Sequence, residues 1–268
     1  MSFKVAVIGG TGVYDPYLIE NTVEKEVITP FGEVSFLKGE YVNREVYFLP
    51  RHGKGHSVPP HKINYRANIW ALKEEGVSRI ISTAAVGSLN QEIEPGSAVL
   101  IDQFIDFTRQ RPLTFFEGEN DEGVVHTDFT LPYCPQLKDI ILEAGADTPV
   151  KLIDYGTYVC TEGPRFETPA EIKMFKVLGG DVVGMTNVPE VVLAREIGMC
   201  YSTITYVTNY AAGISKNILS HEEVLEMMSE NIEIIRKLIM SSIALIPDEK
   251  TCNCNETPGR MQVEKHRK

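Results

Sequence analysis

The chain is short of positive charge. Its 268 residues hold 26 Lys and Arg against 37 Asp and Glu, a net charge of −11. That balance argues against a nucleic-acid or acidic-membrane partner. An anionic substrate would need a local basic pocket against this background. Long apolar runs are also missing, and none reaches the ~18 to 20 residues of a membrane span. The first ten residues end in glycines and lack the n-region and cleavage pattern of a secretion signal, so the expected location is cytoplasmic. Cysteine is sparse, with five in the chain. Cys134, Cys160 and Cys200 sit in apolar or structured segments and read as reduced core residues. Cys252 and Cys254 form a C-x-C in a polar tail. Too few other ligands lie nearby in sequence for a zinc site, which leaves a solvated tail or a local disulfide.

The remainder is ordinary for a globular protein of one large α/β domain. We expect a single domain over residues 1–246 and a polar, disordered tail over 247–268. Lys4 to Ile8 reads as a strand running into Gly9-Gly10-Thr11-Gly12, and Val46 to Leu49 as another ending at Pro50-Arg51-His52. Residues 62–75 read as a helix closed by Gly76. Arg79 to Thr83 is a strand that enters a small-residue loop from Ala84 to Ser88. Residues 105–135 look loop-rich, and a helix follows near 136–145. Thr168-Pro169-Ala170-Glu171 is a capping box with proline at the first helical position. Asn187-Val188-Pro189-Glu190 has the form of a second, and Ser220-His221-Glu222-Glu223 of a third. Cys200 to Val207 is a long β-prone strand. Strands alternating with helices imply a largely parallel sheet covered on both faces. In such sheets ligands gather at the carboxyl ends of the strands. Gly10 to Gly12, Arg51-His52, Thr83 to Ser88, Met185-Thr186 and Asn209 all fall there.

Each of these segments has a chemical and a bland reading. Gly10-x-Gly12 matches two glycines of a dinucleotide loop, but Asp15 occupies the third position and would repel a pyrophosphate. A turn offering backbone N–H groups and the Thr11 hydroxyl to one phosphate fits better; a plain structural turn is the alternative. Arg51 offers a planar fork to phosphate oxygens, or is a solvated loop arginine. His52, His56 and His61 suggest a metal, but Pro59-Pro60 breaks any helix that would align them and no thiolate or carboxylate joins them. Glu167, just before a capped helix, favours the helix dipole or accepts a ring N–H. Asn209 is a turn former, or a donor and acceptor for a purine edge. With Glu167 it could read the N1–H, O6 and N7 edge of a 6-oxopurine. His221, just inside a helix N-terminus, is expected to be a neutral ring, with an ordinary surface histidine as the alternative.

Four segments together carry a resemblance: Arg51-His52-Gly53, Asp102-Gln103-Phe104-Ile105-Asp106, Gly163-Pro164-Arg165-Phe166 and Met185-Thr186-x-Val188-Pro189-Glu190. They resemble the purine nucleoside phosphorylase and methylthioadenosine phosphorylase family over residues 4–245. The resemblance implies a three-layer α/β/α fold with a mixed, largely parallel central sheet, and a homotrimer or dimer of trimers. It implies no metal or organic cofactor, with inorganic phosphate as co-substrate. By position, phosphate would contact Thr11, Arg51, His52, Ala84 and Thr186. Ribose would lie against Met185, and the base would stack on Phe166 and meet Asn209. His126 resembles a residue donated to a neighbour's sugar pocket.

Four positions depart from the methylthioadenosine branch, which usually has aspartates where Asn209 and Ala211 stand. It also has a small polar residue in place of Glu167 and an apolar one in place of His221. Glu167, Asn209 and His221 look instead like the 6-oxopurine set. The expectation is therefore reversible phosphorolysis of inosine and guanosine, in purine salvage. Catalysis would rest on Asn209 and the phosphate-holding residues, His52 among them. Phosphorolysis of 5′-methylthioinosine or methylthioadenosine is the alternative.

Overall fold

The computed structural model describes residues 3–10, 13, 16–118, 125–214 and 221–256. In chain order the strands are β1 (Lys4–Gly9), β2 (Glu20–Thr29), β3 (Gly32–Tyr41), β4 (Arg44–Pro50), β5 (Val77–Ser88), β6 (Ala98–Leu100), β7 (Gln103–Phe107), β8 (Leu152–Ile153), β9 (Thr157–Thr161), β10 (Val182–Gly184) and β11 (Cys200–Tyr210). The helices are α1 (Tyr65–Glu74), α2 (Pro135–Gly145), α3 (Pro169–Val177), α4 (Asn187–Glu196) and α5 (His221–Leu245).

All the strands join one mixed sheet. Its centre runs β4-β1-β5-β11 with every neighbour parallel. The alternation within β1 sorts side chains to two faces. Ala6 and Ile8 pack with Leu72 of α1 and Val191 of α4. Val5 and Val7 pack with Leu137 of α2 and Leu238 of α5. These are two helical layers with a sheet between them, as the alternating pattern implies.

β5 positions the site. β1 pairs along one edge of it as far as Ser82, and β10 takes up the same edge, antiparallel, at Gly87 and Ser88. Between them, from Thr83 to Val86, no strand among the described residues lies on that side. β11 holds the opposite edge throughout. The sheet therefore opens where parallel pairing gives way to antiparallel pairing.

Several local expectations change. The small-residue stretch from Ala84 to Ser88 is strand, because β11 continues to pair with it. β2 and β3 form a hairpin on the outer side of β4; their many charged residues hide the apolar alternation. The Asn187 capping box does not form. Thr186 is the N-cap of α4, and the Asn187 amide instead bonds Tyr133 Oη at 2.5 Å and Thr203 Oγ1 at 2.8 Å. The capping box at Thr168 and Glu171 forms as the sequence predicts. The segment after Pro247 is not a solvated tail as far as it is described. Cys252 and Cys254 are buried in the core beside α2 and α5.

Candidate active site

A cavity of about 530 Å³ lies at the opening in the sheet, within the range of small-molecule sites. Thr83 to Val86 form its floor, and Met185 and Thr186 follow β10 on one side. Asn209 and Ala211 close the far end of β11, and Phe166 and Glu167 cover the cavity from before α3. The structure thus gathers Arg51, His52, Ala84, Phe166, Glu167, Met185, Thr186, Asn209 and Ala211 around one space. Thr11 and the His221 side chain lie outside the described residues. His126 is exposed and is not part of the cavity wall.

The floor is polar beneath a small-residue surface. Thr83 Oγ1 is buried with no hydrogen-bond partner among the described residues. An orphaned buried hydroxyl costs about 1–3 kcal/mol unless a ligand engages it. Local pattern lends Thr83 no weight of its own, since small residues at strand ends also serve packing.

Arg51 departs from the simple fork. Its Nε donates to Glu190 Oε2 at 2.6 Å and its Nη2 to Glu190 Oε1 at 2.8 Å. Nη2 also donates to Ser82 Oγ at 2.6 Å, and Nη1 to the Thr83 carbonyl at 2.9 Å. The bidentate face is therefore given to a carboxylate of the protein, leaving a single N–H of Nη1 for a ligand. Glu190 is fully buried and also accepts from Ser82 Oγ and Tyr201 Oη. Burial works against the Arg51 charge, but Glu190 outweighs it and holds the group above the usual arginine range. This knot joins the end of β4, β5, α4 and β11. Glu190 is missed by local reading because its partner is 139 residues away.

His52 follows Arg51 and is also buried. Its Nδ1 lies 2.8 Å from the Val58 carbonyl, which fixes Nδ1 as the donor and Nε2 as an acceptor. Burial, helped by the Arg51 charge, pushes its pKa down to about 4. The ring is neutral at physiological pH and stacks on His56 with centroids 4.1 Å apart. Among the described residues the histidines form no metal-binding group; the group found is made of cysteines.

The upper wall is pre-oriented. Arg111 donates to the carbonyls of Thr161, Glu162 and Val188, tying the two motif segments together. Gly163 is at φ 65°, and a Cβ there would come within 2.5 Å of Met185 Sδ. Glycine thus supplies both the backbone angle and the room for that methionine. Arg165 turns outward to Glu171 at 2.7 Å, away from the cavity. Glu167 accepts from Thr161 Oγ1 at 2.6 Å. Burial raises its carboxyl above the usual range, while the Thr161 bond pulls the other way.

Asn209 sits at a register slip of β11 between Val207 and Asn209, the kind of bulge that re-aims a side chain. Its Oδ1 accepts from Thr208 Oγ1 at 2.8 Å, and its Nδ2 donates to the Tyr210 carbonyl at 2.9 Å. One Nδ2 hydrogen remains for a ligand. Gly87 lets the amide approach, for a Cβ there would stand 3.2 Å from Nδ2. One cavity thus joins hydroxyl and backbone groups suited to an oxyanion, an aromatic face, a carboxylate acceptor and an amide donor.

Comparison with known proteins gives a consistent answer. Residues 4–244 match the model of the phosphorylase superfamily. The chain is 60% identical to a probable 6-oxopurine nucleoside phosphorylase of Dictyoglomus turgidum, covering 94% of this chain and 95% of that one. It is 55% identical to the 6-oxopurine nucleoside phosphorylase of Pyrococcus furiosus, covering 94% and 97%. The adenine complex of methylthioadenosine phosphorylase from Schistosoma mansoni superposes with a TM-score of 0.88 at 35% identity, over 92% and 93% of the two chains.

Proposed function

The chain belongs to the phosphorylase superfamily, and from that premise we propose that it cleaves 6-oxopurine nucleosides by phosphorolysis. Inosine or guanosine reacts reversibly with inorganic phosphate to give the free purine base and ribose 1-phosphate. The enzyme is a pentosyltransferase.

The observation that carries this reading is the pairing of Glu167 and Asn209 across one cavity, each held by a neighbouring hydrogen bond. A 6-oxopurine carries a hydrogen on N1, which a carboxylate accepts. A 6-aminopurine presents a lone pair there, which the same carboxylate repels. The free hydrogen of Asn209 Nδ2 meets the N7 and O6 edge, where negative charge grows as the glycosidic bond breaks. Phe166 supplies a stacking face and Met185 the ribose contact.

Phosphate belongs on the floor. The Thr83 hydroxyl, the Ala84 backbone, Thr186, Thr11 and the remaining Arg51 N–H hold it. His52 Nε2 accepts a hydrogen bond from the O–H of hydrogen phosphate. A phosphate oxygen forms the new bond to C1′ as the bond from C1′ to N9 breaks. The bound anion also stabilises the oxocarbenium character of the sugar. Positioning and electrostatics provide the rate, with no covalent enzyme intermediate. On this reading no metal or organic cofactor enters the chemistry.

His221 is assigned to recognition of the 5′-hydroxyl, and Ala211 is the small residue beside the base. His126, exposed on its own protomer, completes a neighbour's sugar pocket in a homotrimer or dimer of trimers. Sedimentation of the purified chain tests the assembly. The reaction serves purine salvage in the cytoplasm; no helix among the described residues is long and apolar enough to cross a membrane.

The deciding experiment measures base release from inosine, guanosine, adenosine and the methylthio nucleosides, with and without phosphate. Phosphate-dependent release from inosine and guanosine is expected. Release that needs no phosphate, or a preference for methylthioadenosine, would overturn the reading.

A further inference from the structure

Four of the five cysteines meet at one place. The sulfurs of Cys134, Cys200, Cys252 and Cys254 all lie within 4.8 Å of one another, and all four residues are buried. They come from three separate parts of the chain. Cys134 is the N-cap of α2, Cys200 opens β11, and Cys252 and Cys254 lie beyond α5. We propose that these four residues bind one zinc ion as a tetrahedral four-thiolate site that fastens the C-terminal segment to the sheet.

The geometry fits the ion. Zinc–sulfur bonds of about 2.3 Å in a tetrahedron set sulfur–sulfur edges of about 3.8 Å. The observed cluster spans that distance, with Cys200 and Cys252 3.4 Å apart. A disulfide needs about 2.05 Å, and two disulfides would divide the cysteines into pairs. Here all four sulfurs lie within 4.8 Å of one another, close enough to share one ion. A set of four thiolates is the donor chemistry of structural zinc. No oxidant is involved: each thiol gives its proton to solvent and its sulfur lone pair to the metal.

Such a centre carries a net charge of 2−, and burying it requires cations. Two arginines supply them. Arg79 is buried within electrostatic range of Cys134, Cys200 and Cys252. Arg195 is in range of Cys254, and its Nε is buried with no hydrogen-bond partner among the described residues. Cys134 adds a third favourable contribution. Its sulfur accepts from the Leu137 N–H at the start of α2, where the helix dipole favours a thiolate.

The segment carrying the C-x-C is held in place for this role. Arg79 Nη2 donates to the Pro247 carbonyl at 3.1 Å. Gln136 of α2 donates to the Glu249 carbonyl at 3.0 Å and accepts from the Thr251 N–H at 3.2 Å. The backbone of Cys254 and Asn255 lies against Gly198. The cluster is also far from the chemistry. From Cys200 to Asn209, β11 rises by about 30 Å at ~3.3 Å per residue, so a structural role separates cleanly from a catalytic one.

The test uses the full chain, purified under reducing conditions without chelators. Elemental analysis should find one zinc per chain. Thiol titration of the denatured protein, after zinc removal, should count five free cysteines. The double variant C252S/C254S should lose the zinc and about 5 °C or more of Tm, with kcat on inosine unchanged within twofold. Should that variant fail to fold, removing zinc from the unaltered chain with a strong chelator should lower Tm reversibly, and re-added zinc should restore it. A metal-free protein that takes up no zinc from a buffered solution would overturn the proposal. So would a thiol count of three or one, which means disulfides, or one equivalent of iron in place of zinc.

Discussion

The two ends of β11 are built for opposite purposes. At Cys200 the strand enters a closed region where four sulfurs, apolar side chains and docked backbone pack against one another. At Asn209 it slips register and faces a cavity in which polar groups keep hydrogen-bonding capacity in reserve. Thr83 Oγ1, on the neighbouring strand, has no partner among the described residues. One end turns its groups inward on one another; the other leaves part of its capacity for substrate. Between them lies the Arg51–Glu190 knot, which belongs to folding by its burial and to the site by its position.

That knot gives the sharpest way to break the division. Arg51→Ala strands a fully buried Glu190, and a carboxylate left unpaired in this way costs roughly 3–5 kcal/mol. Urea denaturation should show the loss directly. If stability holds and only the KM for phosphate rises, the guanidinium faces the anion more than it faces Glu190.

A smaller effect is expected at the base. Inosine and guanosine should exceed adenosine in kcat/KM by about 10²-fold or more, the scale on which a mispaired polar group discriminates. Asn209→Asp should shift the ratio toward 6-aminopurines with little change in Tm. Equal rates on inosine and adenosine would remove Glu167 and Asn209 as readers of the base.

At the other end of the strand the expectation reverses. Deleting residues 249–268 should lower stability by about 2 kcal/mol, through exposed core and lost hydrogen bonds to Gln136. The kcat on inosine should stay the same. A parallel fall in kcat would show that the two ends are coupled through β11.

The smallest effect concerns pH. Burial raises the Glu167 carboxyl, and once protonated it loses the charge that makes it a strong acceptor for the N1–H. The kcat/KM for inosine should therefore drop as pH falls through the raised value, above the ordinary range near 4.3. Glu167→Gln should remove that inflection while leaving the one due to phosphate ionisation. An unchanged profile would assign the acid limb to another group.

Much of this was legible where the signal is local. Alternating strands and helices pointed to a two-sided sheet, and the Thr168 capping box marked the start of α3 with Glu167 just before it. The legible part ends where partners are distant in sequence. Asn187 has the spacing of a cap, but Tyr133 and Thr203 claim its amide. Glu190 reads as a helix-start acid, yet its partners lie on β5, β11 and the end of β4. The C-x-C reads as a solvated tail because Cys134 and Cys200 join it only in three dimensions. Composition around a residue cannot report such pairings; only the register of the sheet brings them together.

The missing strand beside Thr83 to Val86 also bears on how easily this protein can change. A floor made partly of backbone survives almost any side-chain replacement, because only proline removes an N–H. The purine end rests on individual side chains, and one substitution alters what they recognise. Random change should therefore erode the choice of base long before it erodes the hold on phosphate. A lineage built on this sheet could drift among nucleosides while its second reactant stays fixed.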